Sequence, residues 1–532
     1  LLSAIKSEKE YKNLAYELGK LQREKERLPI VAQGLCEGSL ETFTAAICRD
    51  LNQKALIVAH DEKTAAKLRY AMLNFFGGVY VYPKKDFVFM GMENANNPFE
   101  HERMKILSKV INGDFDVVIT TPDAMLQYTL PGEKLIDYSI ELKIGSVIKD
   151  INSFLAQLSA AGYKRAEIVE EPARFSVRGG IIDIFSPSEN YPVRLELFGD
   201  EIDAMGIFDP LTQRRLENIK EFTIIPAAEI VFDEKSRQNC VAVLEKLIKG
   251  KTADQAISDR LAFEMDLLKS GEDISSKDKF ISIVYGPEKK ECLLDYFAPD
   301  STVLFIYESA KANEKQKAAG QIMSEITVDL IEKGYIDGKN AEYMATFEDF
   351  LAMRQKFKTL LCDAFVSGMD QMKLSGLYTF ATRQSPHLSE GFAALRDDLE
   401  RYSDSGYRAA VLLESEAGIK SFSDYLEDFE IKHIVVEPAD LAGKYANLEN
   451  LPAGYAAVIK TPRIGGAKTD SPEQGMPFDL QGFELPKQKF ALINESHAEN
   501  RAQGPKKRSM HGEAPGKYSK TPRQKLMAYT DL

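Results

Sequence analysis

The sequence predicts a multidomain α/β protein: two segments with parallel sheets, and an α+β segment inserted in the first. Three observations carry this. From about 30 to 130, apolar runs at Ala55–Ala59, Val79–Tyr82 and Val117–Thr120 alternate with helical patterns near 39–51, 62–76 and 98–112, the rhythm of strands joined by crossover helices. A second such rhythm runs from about 350 to 497, with strands expected at Ala409–Leu413, Ile434–Val436, Ala456–Ile459 and Ala491–Ile493. Between them, from 145 to 228, one helix (151–161) precedes closely spaced strands separated by Gly turns.

The remaining elements follow in order. Tyr11, Leu14, Leu18, Leu21 and Leu28 recur at helical spacing, so an amphipathic helix is expected over 3–27, ended by Pro29. Residues 229–345 are mainly helical in pattern, with one strong strand in "STVLFIYES" (301–309). A helix over 389–404 is closed by Gly406 in a C-cap position. The tail is polar, Pro/Gly-rich and basic, with Arg501, Lys506, Lys507, Arg508, Lys517, Lys520, Arg523 and Lys525, the composition of a flexible linker. The expected domains are therefore 1–29, 30–144, 145–228, 229–349 (the second part of the 30–144 domain), 350–497 and the linker 498–532.

Bulk properties narrow the function class. A chain of 532 residues, 44% hydrophobic and 28% charged, has the composition of a soluble globular protein of roughly three to five domains. No apolar run approaches the ~18–20 residues that span a bilayer, and no signal sequence is visible, so a cytoplasmic protein without membrane contact is expected. The first residue is Leu1 rather than Met, so an upstream start is expected. The 81 carboxylates outnumber the 68 Lys plus Arg, a net charge of −13, which opposes gripping DNA by the whole surface. Cys36, Cys48, Cys240, Cys292 and Cys362 form no C-x-x-C pair, and the six histidines show no ligand spacing. Neither a zinc site nor a disulfide framework is expected.

"GLCEGSLETFT" (34–44) sits between an apolar run and a helix, where a phosphate-binding loop would sit. Such a loop offers a nest of backbone N–H groups and one Lys for the β- and γ-phosphates. Gly34, Gly38 and Thr42 fit that pattern, but Glu41 stands where the Lys belongs and would repel phosphate. In "PVRLELFGDE" (192–201), Val193, Leu195 and Leu197 alternate with Arg194, Glu196 and Phe198, so the two sets face opposite sides of a strand. An Arg beside an aromatic on the outer face suits a binding hot spot, and equally an ordinary Arg–Glu surface pair. Asp200 and Glu201, successive on a strand, point apart and do not form a catalytic acid pair.

The stretch "GYKRAEIVEEPARFSVRGGIIDIFSPSENYPVRLELFGDEIDAMGIFDPLTQRR" (162–215) closely resembles the domain shared by the excision-repair helicase UvrB and the transcription-repair coupling factors. The motifs Gly-Tyr-x-Arg, Arg-Gly-Gly-x-x-Asp-x-Phe, Pro-x-Arg, Phe-Gly-Asp-Glu-Ile and Phe-Asp-Pro-x-Thr-Gln-Arg occur in family order. The resemblance implies a domain that binds UvrA, with Arg178, Arg194 and Phe198 at the contacting positions and Gly179–Gly180 shaping the turn that aims Arg178.

The rest of the chain then aligns with a helicase-like (P-loop, RecA-like) half. "LLDYFAPDSTVLFIYES" falls on the family's Mg²⁺ motif, with Tyr307 in place of the metal Asp, followed by Glu308. Phosphoryl transfer needs both the charge clamp and the metal, so the resemblance implies a degenerate nucleotide site at Gly34, Gly38, Glu41, Thr42, Tyr307 and Glu308, with no catalysis, metal or cofactor in this chain. The connection through "VYPKKDFVFMGMENANNPFEHERMKIL" lacks the long DNA-clamping hairpin of UvrB. That absence favours the coupling factors. The implied protein is their UvrB-like N-terminal half, which recruits UvrA to RNA polymerase stalled at DNA damage. It would end before the RNA-polymerase-interaction domain and the ATP- and Mg-dependent DNA translocase, on which this half would pack. The alternatives are a UvrB-type DNA helicase or ATPase, and a domain that senses nucleotide without hydrolysing it.

Overall fold

The computed structural model describes residues 1–21, 26–90, 98–250, 255–286, 289–365, 373–385, 392–413, 415–437, 440, 450–460 and 480–494. The basic linker expected over 498–532 lies outside the described residues.

The first sheet has seven strands, in the order Gly376–Thr379, Ile30–Gln33, Lys358–Asp363, Thr302–Tyr307, Lys54–Val58, Val117–Thr120, Val79–Val81. Every pairing is parallel. Parallel strands covered by crossover helices bury both faces, so they read as continuous apolar runs. Val31, Leu56, Val118 and Leu304 enter the core on one face, and Ile30, Ile57, Ile119 and Phe305 on the other.

This sheet runs past the domain edge expected at 349/350, because Lys358–Asp363 and Gly376–Thr379 belong to it. "KTLLCD" is a wholly buried strand, and an apolar run does not reveal which sheet it joins. The second sheet starts at Arg383–Gln384 and runs on through Phe483–Leu485, Phe490–Asn494, Arg408–Leu413, Ala456–Lys460 and His433–Val436. It is packed against the first: Phe43, Leu35 and Phe380 share one core with Phe483, Leu492 and Leu412.

The inserted segment is a six-stranded sheet in the order Arg215–Ile219, Glu201–Phe208, Val193–Phe198, Ile181–Phe185, Arg174–Arg178, Lys164–Arg165. All its pairs are antiparallel except the last, which is parallel. Phe154 and Leu158 of helix Ile151–Ala160 cover one face, against Phe175, Ile184 and Leu195. Entry strand Ile140–Lys143 pairs antiparallel with exit strand Glu221–Ile224. The chain thus enters and leaves the insertion side by side, and the insertion begins slightly before the expected edge at 145.

The amphipathic segment at the start is two helices, Leu2–Lys6 and Lys9–Leu21, rather than one. Tyr11, Leu14, Leu18 and Leu21 are buried as a stripe, whereas Leu28 is exposed. Leu28 precedes Pro29, which pushes it out of helical conformation.

Candidate functional site

The outer face of the inserted sheet is built around one buried carboxylate. Arg178 and Ile181 flank Gly179–Gly180 as directly paired residues. Gly179 has φ +60, which a two-residue hairpin turn requires and which Gly adopts without strain. Asp183 pairs across to Arg194. The Arg194 Nε and Nη2 donate to the two Asp183 oxygens at 2.7 and 2.9 Å, and the Arg178 Nη2 donates to Asp183 Oδ2 at 2.9 Å. The Asp183 side chain is 0% exposed, against 20% for Arg194 and 52% for Arg178. The Arg194 guanidinium also lies 4.5 Å from the Phe208 ring, a favourable cation–π contact, and its bond to Asp183 raises its pKa. Beside it, Arg215 pairs with Glu196 and lies across Gly206, where an added Cβ would meet Arg215 Nε at 2.9 Å. The result is a plate of paired Arg and carboxylate groups.

Phe198 ends its strand and is 84% exposed. The register slips between Glu196 and Leu197, so Leu197 is only partly buried while Val193 and Leu195 are in the core. Asp200 lies in a turn, not on the strand that the sequence predicts. Gly199–Asp200 form the turn between paired Phe198 and Glu201, with Gly199 at φ +64.

The structure thus brings Arg178 and Arg194 together on Asp183, a residue the sequence reading passed over. It also changes what Arg194→Ala would report. The substitution leaves a buried carboxylate held by Arg178 alone, and breaking a buried ion pair costs ~3–5 kcal/mol. With Arg178 retained and Arg194 partly solvated, a loss of about 2 kcal/mol is expected. Urea denaturation should show it, and an unchanged midpoint would rule it out.

The glycine loop stands at the C-terminal end of strand Ile30–Gln33, before helix Ser39–Leu51. Its polar groups are met from within the chain. Gly38 N–H donates to Glu41 Oε2 at 2.5 Å, the carboxylate reaching back over the first turn as in a capping box. Cys36 N–H donates to the Thr382 hydroxyl at 2.8 Å, and that hydroxyl donates to Gly34 O at 2.8 Å. Gly34 N–H donates to Asp363 O at 3.0 Å, and the Thr42 hydroxyl to Gly38 O at 2.7 Å. The two glycines are needed for close approach. At Gly34 (φ +81) and Gly38 (φ +79) an added Cβ would lie 2.3 Å from Phe380 O and 1.9 Å from Gln481 O. Burial pushes the Glu41 carboxyl up to about 7, against its hydrogen bonds to backbone N–H.

Tyr307 is the last residue of its strand and is buried, its hydroxyl 2.7 Å from Thr44 Oγ1; burial holds its pKa well above the ordinary value. Glu308 takes a left-handed conformation at the start of helix Ser309–Glu332 and pairs with Lys311 at 3.3 Å. Beside the helix start, the buried Asp363 accepts from Ser309 N–H and Oγ at 2.6 and 2.8 Å. Among the described residues no group of three or more His, Cys, Asp or Glu could hold a metal ion, and no helix is long and apolar enough to cross a membrane.

Residues 140–230, the inserted segment, match the family model of the UvrB interaction domain. The chain carries a UvrB interaction domain. Curated relatives include transcription-repair-coupling factors: that of Bacillus subtilis (strain 168) is 23% identical over 510 residues, 94% of this chain and 40% of the relative. That of Staphylococcus haemolyticus is 25% identical over 475 residues, 88% and 38% respectively, and that of Staphylococcus aureus (strain Mu50) 24% over 409 residues, 75% and 34%. The chain therefore spans about 40% or less of the length of these relatives. A solved DEAD box protein from Methanococcus jannaschii aligns over 92% of this chain and 91% of its own, at 8% identity and a TM-score of 0.24, too low to support a fold argument.

Proposed function

We propose that this chain is the UvrA-docking module of a transcription-repair coupling factor, and that UvrA binds the outer face of the UvrB interaction domain. The observation that carries this is the plate around Asp183, with its two arginines and the exposed Phe198, on a domain whose family is named for interaction. The module would bring UvrA to RNA polymerase stalled at a lesion. Polymerase, DNA and ATP would be handled by parts of the protein outside this chain, and the module itself would turn over no nucleotide. Its loop supports that reading, because Glu41 and Thr382 occupy the amides that a phosphate would need. The rival reading, a UvrB-type ATPase, has Glu41 and Tyr307 against it.

The test is calorimetric titration of the chain with UvrA, paired with phosphate-release and melting measurements. Phe198→Ala is expected to cost about 2 kcal/mol, roughly thirtyfold in affinity, with an unchanged melting temperature, because Phe198 is 84% exposed. Millimolar ATP-Mg should neither be hydrolysed nor raise the melting temperature, since a ligand stabilises only what it binds. Wild-type affinity in the Phe198 variant would sink the site. DNA-stimulated phosphate release would restore the ATPase reading.

A further inference from the structure

Leu211 is 85% exposed, as open as Phe198, and it is held that way by a built turn. The turn joins strand Glu201–Phe208 to strand Arg215–Ile219. Asp209 Oδ1 accepts from the N–H of Leu211 at 3.0 Å and of Thr212 at 2.6 Å, a side-chain mimic of a backbone turn. Asp209 N–H donates to Arg214 O at 2.9 Å, and Gln213 N–H to Asp209 O at 2.8 Å. Gln213 sits at φ +59, and its amide donates to Pro210 O at 2.6 Å and to Val169 O at 3.5 Å. Pro210 fixes its own φ besides. A single exposed Leu on a mobile loop would need no explanation. Here the backbone on both sides is pinned, so the loop itself has little conformational entropy left to lose when the outward side chain is bound.

The turn is continuous with the proposed interface. Gln213 Oε1 lies 3.5 Å from Arg194 Nη2, and Phe208, just before the turn, carries the Arg194 guanidinium on its ring. Leu216 is the extra residue of a register shift between Ile207 and Phe208, and it too is exposed. Arg194 and Phe198 are four residues apart on one strand, ~13 Å at ~3.3 Å per residue. The face therefore has an apolar residue at each end and the Arg–Asp plate between.

We infer that Leu211 is a second apolar anchor of this face, taken into an apolar socket of the partner separate from the one that takes Phe198, with a carboxylate of the partner between them meeting the outward donors of Arg178. This rests on the UvrA-docking reading, and UvrA is the occupant it commits to. The experiment is titration of UvrA with the wild-type chain, Leu211→Ser, Leu211→Met and the Leu211→Ser/Phe198→Ala pair, with sedimentation and melting of each chain alone. Leu211→Ser is expected to weaken binding about tenfold at an unchanged melting temperature, and Leu211→Met to restore most of it. The double variant should show the product of the two single effects, since sites more than ~10 Å apart act independently. If wild type binds UvrA and Leu211→Ser binds equally well, the inference fails while the docking reading stands. If wild type does not bind UvrA, the docking reading fails and the inference with it. If Leu211→Ser instead abolishes self-association and spares UvrA binding, the occupant is a second copy of the chain and the inference is overturned.

Discussion

Glu229→Ala is expected to destabilise the chain by about 3–5 kcal/mol, the usual cost of stripping one partner from a buried ion pair. Glu229 has no exposed surface and lies at the exit of the UvrB interaction domain. Its Oε2 accepts from Lys85 Nζ at 2.7 Å, and its Oε1 from Arg103 Nε at 2.6 Å and the Thr129 hydroxyl at 2.9 Å. Its backbone is fixed as well: N–H donates to Glu100 Oε1 at 2.8 Å, and O accepts from Tyr285 OH at 2.7 Å. Lys85 has a second carboxylate, Asp278, at 2.6 Å, so after the substitution it stays paired. Arg103 does not; its other hydrogen bonds go to the neutral oxygens of Gln127 and Pro83, with the Tyr82 ring 4.3 Å from its guanidinium.

The pH dependence follows from the same contacts. Burial raises the Glu229 pKa, but Arg103 and Lys85 outweigh it and hold the carboxyl at about 2. A carboxyl depressed in the folded state contributes stability that is present above its unfolded pKa, near 4.5, and lost as pH falls toward 2. The wild-type chain should therefore lose stability across that window more steeply than Glu229→Gln, which has no charge to lose. Urea midpoints at pH 7 and pH 3 test both statements. A Glu229→Ala loss under 1 kcal/mol would mean that the cluster relaxes or admits water. Because the cluster joins Lys85 and Arg103 of the first α/β unit to the insertion's exit, its loss should also loosen the base of the inserted sheet.

The strands of the first sheet were legible because a parallel strand buried on both faces is an unbroken apolar run, and Ala55–Ala59 and Val117–Thr120 are such runs. Their sheet membership was not. "KTLLCD" and "RAAVLL" look alike, and only pairing with Ile30–Gln33 in one case and Phe490–Asn494 in the other separates them. On the outer face, alternation placed Arg194 and Phe198 outward but could not say what Arg194 touches. The signal was present in "IIDIF", where one Asp interrupts a buried strand and so demands cations from its neighbours. Gly199–Asp200 were equally readable as a two-residue hairpin turn. Glu41 carried a signal as well: Gly38-x-x-Glu41 has the spacing of a capping box, and Glu41 accepts from Gly38 N–H at the helix N-terminus.

That buried carboxylate has a measurable consequence. Glu41→Gln is expected to stabilise the chain by about 3 kcal/mol above pH 7 and hardly at all near pH 4.5. Glu41 is buried against Gly38 N–H, and burial is the largest influence on it, with Glu37 pushing the same way and Lys67 the other. Its folded pKa of about 7 lies above the ordinary 4.5, so the folded chain binds the proton more tightly. Below pH 4.5 both states are protonated and nothing is lost. Between 4.5 and 7 the unfolded chain ionises first, and stability falls as pH rises. Above 7 the whole difference is felt, ~1.4 kcal/mol per pKa unit. Gln keeps an oxygen for Gly38 N–H and has no charge to desolvate, so its stability should stay level across the window where wild type declines. The sign is opposite to that of Glu229, which lets the two be separated in one set of urea titrations between pH 3 and pH 8. Equal stabilisation by Glu41→Gln at pH 5 and pH 8 would show that the carboxylate is not the group titrating. A loss at pH 8 would show that its charge, held by the helix N-terminus, is what keeps the loop closed.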